Sequence, residues 1–171
     1  MNIFVLAESP TLAARYHDDV RLPKMVVELY QQLGSAVRRH GATDEQMPLT
    51  QKGTPLKGGY HNHPCTRWVG DTLSNFMWAH SHASALLTEY SRRFGKVHAC
   101  QKGIEKLLDL SVLIPSGTLT PFAQAMPDEY RDDSAVVAYR RYYHSKADSK
   151  GGVRWDRYVE VHGRLPGWWM L

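Results

Sequence analysis

The chain has 171 residues, of which 43% are hydrophobic and 22% charged, and it carries a formal charge of +4 at pH 7. Those values fit one folded domain with enough chain for a real core, and they exclude a disordered protein. No apolar run reaches the length of a membrane span, and the start Met1 to Glu8 lacks the basic leader of a signal peptide, so the expected setting is the cytosol. Cys65 and Cys100 are expected there as reduced thiols.

After an extended lead-in over residues 1–8, Ser9 and Pro10 give a helix start, predicted to run over roughly 9–18. Leu22, Met25, Val26, Leu29, Leu33, Ala36 and Val37 recur at steps of three and four, which predicts a second helix over about 22–39 that Gly41 stops. Lys24 and Glu28 lie off that stripe, four residues apart, and can meet on one face. From 42 to 63 periodicity is lost among Gly53, Pro55, Gly58 and Gly59, the mark of a lid, a binding loop or a disordered segment. The longest helix is predicted over 66–94, with Leu73, Phe76, Met77, Ala83, Leu87 and Tyr90 on its apolar side and Gly95 at its end.

A fourth helix is predicted over 97–110, a turn at Ile114 to Gly117, a single helical turn over Ala123 to Met126, and a last clear helix over 133–146. Gly151-Gly152 then joins an aromatic tail that closes Trp168-Trp169-Met170-Leu171. Strand signals are poor throughout. The expected fold is mainly α: a compact single-domain helical bundle over 1–171, with long loops and an aromatic C-terminal tail.

Chemistry is densest in Tyr60-His61-Asn62-His63-Pro64-Cys65-Thr66-Arg67-Trp68, where loop meets helix. A helix start needs one capping group, so this many hydrogen-bonding and stacking groups suggest a pocket rim. His61, Asn62 and His63 are candidates for contacting a polar ligand. His61, His63 and Cys65 with His80/His82 or His98/Cys100 hold enough ligands for zinc. There is no Cys-x-x-Cys, and His80 and His82 point about 200° apart on one helix, so a metal is not expected. His17, Asp18, Lys24 and Glu28 combine an imidazole, acids and an amine, the parts of a nucleophile with its general acid/base. The same residues also make ordinary surface ion pairs.

Among the aromatics, Trp68 and Trp78 (beside Asn75) are candidates for stacking a flat ring, and Phe122 and Gln124 lie in a tight loop suited to closing a pocket. Basic residues cluster at Arg38-Arg39-His40, at Arg92-Arg93 with Lys96, and at Arg140-Arg141 with His144 and Lys146. They form one anion-binding face or serve as solvated helix ends. Both readings stand on sequence.

Leu22-Pro23-Lys24 with His17 upstream resembles the pyrimidine-dimer DNA glycosylase family of the phage endonuclease V type. So do Tyr90-Ser91-Arg92-Arg93-Phe94-Gly95, Pro127-Asp128-Glu129-Tyr130-Arg131 and the aromatic C-terminus; the likeness is one of order and spacing over most of the chain. The segments His63 to Trp68, Phe94 to His98 and Leu119 to Tyr130 are also similar to a group of small phage proteins without an assigned chemistry.

The glycosylase resemblance implies an all-α domain without cofactor. It also implies an amine that attacks a deoxyribose C1′, forms an imine and cuts the strand by β-elimination with help from a carboxylate. In that family the amine is the N-terminal one exposed by loss of Met1; Asn2 is larger than such processing usually takes. Arg21 stands where the family has its glutamate, so the acid would come from Asp18, Asp19 or Glu28.

The expectation is therefore a DNA-directed glycosylase/lyase-like enzyme, with a non-catalytic protein that sequesters a nucleotide or cyclic nucleotide on the same groups as the alternative and a structural or adaptor protein as a third. DNA or a nucleotide is the expected partner, with no membrane. Lys24 or the N-terminal amine would be the nucleophile, Glu28 or Asp18 the acid/base, and His17, Asn62 and His63 would orient sugar or base. Trp68 and Trp78 would stack, and Arg21, Arg93 and Lys96 would hold phosphates.

Overall fold

The computed structural model describes residues 1–149 and 151–170; Leu171, the last residue of the predicted tail, lies outside them. Among the described residues seven α-helices follow in order: α1 Pro10–Arg15, α2 Arg21–Arg39, α3 Pro64–Val69, α4 Leu73–Phe94, α5 Gln101–Asp109, α6 Ala135–His144 and α7 Asp156–His162. Short 3₁₀ turns occupy Leu110–Leu113, Asp128–Tyr130 and Gly167–Met170. Among the described residues there is no strand, only an isolated antiparallel bridge between Leu49 and Pro55, and no helix is long and apolar enough to cross a membrane. The domain is mainly α, as its periodicity predicts.

The apolar stripe of α2 buries Leu22, Met25, Val26, Leu29, Leu33, Ala36 and Val37. Its main partner is α4, which buries Phe76, Ala79, Ala83, Leu86 and Leu87 and also packs on α1, α3, α5 and α7. Ser9 caps α1 through Leu12 N, and Ser134 caps α6 through Val137 N. Gly95, in the left-handed region with φ 64°, closes α4 after Arg92 and Arg93.

Two element predictions are corrected. The helix expected over 66–94 is two helices, because Thr72 starts a new one: its side chain accepts from Asn75 N at 3.1 Å. Leu73 N turns outward to donate to Pro115 O at 2.7 Å. The break lies at Gly70, where the chain presses on α2; a Cβ there would meet Ala36 Cβ at 3.1 Å and Arg39 Cζ at 3.3 Å. The helical turn expected over Ala123 to Met126 does not form, because Tyr139 Oη and Asn2 Nδ2 capture the carbonyls of Ala123 and Ala125. The 3₁₀ turn follows two residues later.

The lead-in is not a surface segment. Ile3, Val5 and Leu6 are fully buried, although no strand partner satisfies their backbone. Side chains do that work: Asn2 Oδ1 accepts from Ile3 N and Phe4 N at 2.8 and 3.3 Å, and Arg140 Nε donates to Leu6 O at 2.9 Å. The start of the chain is thereby threaded between α2, α6 and the loop around residue 125.

Candidate active site

The N-terminal segment is held as a shaped element. Phe4 has φ 34°, a strained value for a bulky residue. Such strain costs on the order of 1–3 kcal/mol and persists only where surroundings enforce it. Here the Phe4 ring sits in a cage of Tyr139, Tyr142, Tyr143 and His17, with centroids 5.2–6.2 Å away. Aromatic pairs of this kind contribute about 0.5–1.5 kcal/mol each beyond burial, enough to offset the backbone cost.

Asn2 is fixed on the other side of that turn. Its backbone N–H donates to Glu28 Oε2 at 2.8 Å, its amide to Ala125 O at 3.0 Å, and its carbonyl accepts from Gln32 Nε2 at 3.1 Å. Glu28 and Gln32 are one turn apart on α2, so that helix positions both contacts.

This arrangement brings three further groups to the Glu28 carboxylate. The amine at Met1 lies 3.7 Å from Oε2, and Lys24 Nζ lies 3.6 Å from Oε1. The Lys24 side chain is 72% exposed and that of Glu28 only 12%, so a buried acid meets one open amine. His63 completes the corner. Its imidazole is pulled below its ordinary value by burial first and by the N-terminal amine second, with Glu28 opposing. Nδ1 of His63 accepts from Cys65 N at 3.2 Å as the cap of α3, which leaves Nε2 as the N–H side of a neutral ring.

Behind His63, burial pushes the Cys65 thiol up to about 11. Its Sγ lies 3.6 Å from Tyr139 Oη, which itself donates to Ala123 O. Cys65 is thus a protonated packing thiol, not a nucleophile. Cys65 and Cys100 are both free.

The remaining predicted site residues are placed elsewhere. His17 is fully buried with Nδ1 on Ala13 O at 2.9 Å; burial, then neighbouring His82, hold it well below its ordinary value. Asp18 is a structural hub. It accepts from Arg21 N, Arg154 N and Tyr143 Oη at 2.8–3.0 Å and faces Arg21 Nη1 at 3.3 Å. As every lone pair is used, Asp18 has no capacity left for acid/base work, which corrects its predicted role. Arg21 is spent on Asp18, on Gly152 O at 2.9 Å and on the Tyr143 ring.

Arg93 is fully buried between Glu89 and Asp19 at 3.1 and 3.4 Å and donates to His17 O and Arg15 O. Neither arginine is placed to hold a phosphate without dismantling the fold; of the three predicted phosphate binders only Lys96 is exposed.

Trp68 and Trp78 do not wall an open slot. They are 4% and 7% exposed, and Phe122 already fills the space between them at 5.2 and 4.9 Å. Trp78 Nε1 donates to Glu8 O. Asn75 ties the backbones of Trp68 and Thr120 together, and Gln124 clamps Asp132 through both of its amide atoms. His80 and His82 hold Ile104 O and Pro10 O, and among the described residues no group of three or more His, Cys, Asp or Glu could hold a metal ion.

His61 and Asn62 leave the Glu28 corner and line a cavity farther along α2, with Ser35, Ala36, Arg38, Arg39, Thr66, Arg67 and Asp71. Asn2, Gln32 and Tyr139 were not singled out by sequence. The one signal was a polar residue heading the buried run Ile3 to Ala7. No family model, curated protein or solved structure matches the chain.

Proposed function

We propose that the chain is a DNA-base-directed enzyme, of the kind its resemblance to phage pyrimidine-dimer glycosylases implies, which works through an amine at the Glu28 corner. The observation that carries this reading is the pair of amines, Lys24 Nζ and the N-terminal nitrogen, set on opposite oxygens of one carboxylate at 3.6 and 3.7 Å. Glu28 takes a proton from the attacking ammonium, and the freed lone pair bonds to deoxyribose C1′ while the bond to the base breaks and its electrons leave with the base. Loss of a second N–H proton and opening of the sugar ring, whose O4′ takes up a proton, then give a protonated imine, and β-elimination from it, with loss of a C2′ proton and departure of the 3′-phosphate, breaks the strand. Glu28 replaces the acid that Arg21 displaces beside Leu22-Pro23, from a point seven residues on.

Borohydride reduces an imine to a stable secondary amine, so it traps the protein on DNA carrying an abasic site. The expected result is a covalent adduct that Glu28→Gln suppresses, with mass mapping of the trapped peptide placing the sugar on Lys24 or on the N-terminal residue. Absence of an adduct on both abasic and dimer-bearing DNA overturns the enzyme reading. The second reading is a protein that holds a nucleotide without turning it over, favoured by Arg21 at the family's glutamate position. A ligand recovered unchanged after prolonged incubation supports it.

A further inference from the structure

We infer that the cavity between α2, the 57–63 loop and α3 is a phosphate-binding site, separate from the Glu28 corner and independent of either reading of it. The cavity measures about 670 Å³ and opens to solvent. Ser35 on its floor lies seven residues beyond Glu28, about 10 Å along the helix axis.

The walls are fixed by side chains whose polar atoms are already used. Arg38 donates to Leu56 O and Ala42 O, and Arg39 donates to Arg67 O and pairs with Asp71 at 2.8 Å. Ser35 Oγ clamps Gly59 through both its N–H and C=O, at 2.7 and 2.9 Å. That close approach needs glycine next door: Gly58 has φ 78°, and a Cβ there would sit 2.7 Å from Ser35 N.

Four polar side chains on the lining remain without a partner among the described residues: His61, Asn62, Arg67 and Thr66. The Thr66 residue is 3% exposed and its hydroxyl is buried without a hydrogen bond, which is costly unless something supplies one. Of the three guanidinium groups on the lining, Arg38 is paired with Asp44 and Arg39 with Asp71, which leaves the exposed Arg67 as the one whose charge is unanswered among the described residues. Guanidinium, imidazole, amide and hydroxyl donors in excess over acceptors match the oxygens of a phosphate group. An apolar or cationic ligand would leave these donors unmet. The phosphate belongs either to a free phosphomonoester, such as a mononucleotide, or to a phosphodiester of a strand lying along α2.

Calorimetric titration of the full chain with inorganic phosphate, dTMP, thymidine and a short single-stranded oligonucleotide without terminal phosphates tests this. Inorganic phosphate and dTMP are expected to bind and compete, and thymidine to fail. Competition by the oligonucleotide assigns the site to a strand phosphodiester, and its failure to compete assigns it to a free phosphomonoester. Arg67→Gln, at an exposed position, is expected to weaken phosphate binding about tenfold or more, and Thr66→Val by about threefold to tenfold, with thermal unfolding retained in both.

Glu28→Gln is expected to bind phosphate like the parent while suppressing borohydride trapping, so the two sites fail separately. No phosphate binding, thymidine binding as tight as dTMP, or a folded Arg67→Gln with unchanged affinity overturns the inference.

Discussion

Two clusters of ionisable groups, one joining the start of α2 to the end of α4 and the other around Glu28 one turn and more into α2, differ in what they leave unused. Around Asp18, Asp19, Arg21, Glu89 and Arg93 each charge is answered by an opposite charge or a backbone group. Around Glu28 one carboxylate faces two amines and a neutral imidazole, and Lys24 is open to solvent. The first cluster has more chemistry-bearing residues and no spare capacity. The second has fewer and keeps one amine open to solvent. Residue type alone does not separate them; unspent hydrogen-bonding and protonation capacity does.

That contrast breaks most easily at Arg93. Replacing it with methionine leaves Glu89 and Asp19 buried without their counter-charge, and unfolding in denaturant is expected to show a loss of about 3–5 kcal/mol. A loss under 1 kcal/mol would mean that the cluster is hydrated and no different in kind from the Glu28 corner.

The next effect concerns pH. Burial pushes the His82 imidazole down to about 4 and holds the neighbouring His17 well below its ordinary value as well. An unfolded chain binds those protons near pH 6.5 and the folded one resists them. Stability is therefore complete above about pH 6.5 and falls as pH drops toward 4, by roughly 3 kcal/mol from His82 alone. Thermal unfolding followed from pH 7.5 to pH 5 should show the midpoint decline, and His82→Phe should flatten the slope.

Glu28→Gln should cost only about 1 kcal/mol of stability, since the amide oxygen still accepts from Asn2 N. The same change should lower the trapping rate by about a hundredfold or more. The disproportion between those two numbers separates a reactive acid from a structural one. The smallest stability effect belongs to Lys24→Ala. An exposed i,i+4 pair contributes about 0.3–0.5 kcal/mol at most, and chemical denaturation should scarcely register its loss.

The α class and the cores of α2, α4 and α6 were legible in the sequence because amphipathic spacing and caps such as Ser9 and Ser134 are local signals. The Glu28–Lys24 pair was legible for the same reason, four residues apart on one helix. What was hidden depends on contacts far apart in the chain. Nothing near Asn2 announces that it will meet Ala125, or that Glu28 will serve as its acceptor. Trp68 and Trp78 read as a stacking slot because sequence gives no sign that Phe122 fills the gap. Asp18 and Arg93 read as functional for the same reason: their partners Arg154, Tyr143 and Asp19 come from other elements. The break at Gly70 was missed because an apolar stripe continues across it, and only the approach to Ala36 gives the glycine its meaning.

The enclosed position of residues 2–7 bears on how the protein is made. Their contacts run to Ala125, Tyr139, Arg140 and Tyr143, so this segment leaves the ribosome well before the residues that hold it in place. At about 5–20 residues per second, this apolar lead stays uncovered for roughly 7–30 seconds. During that interval it is exposed to chaperones and to other nascent chains, and the amine-bearing corner is assembled only when α6 arrives.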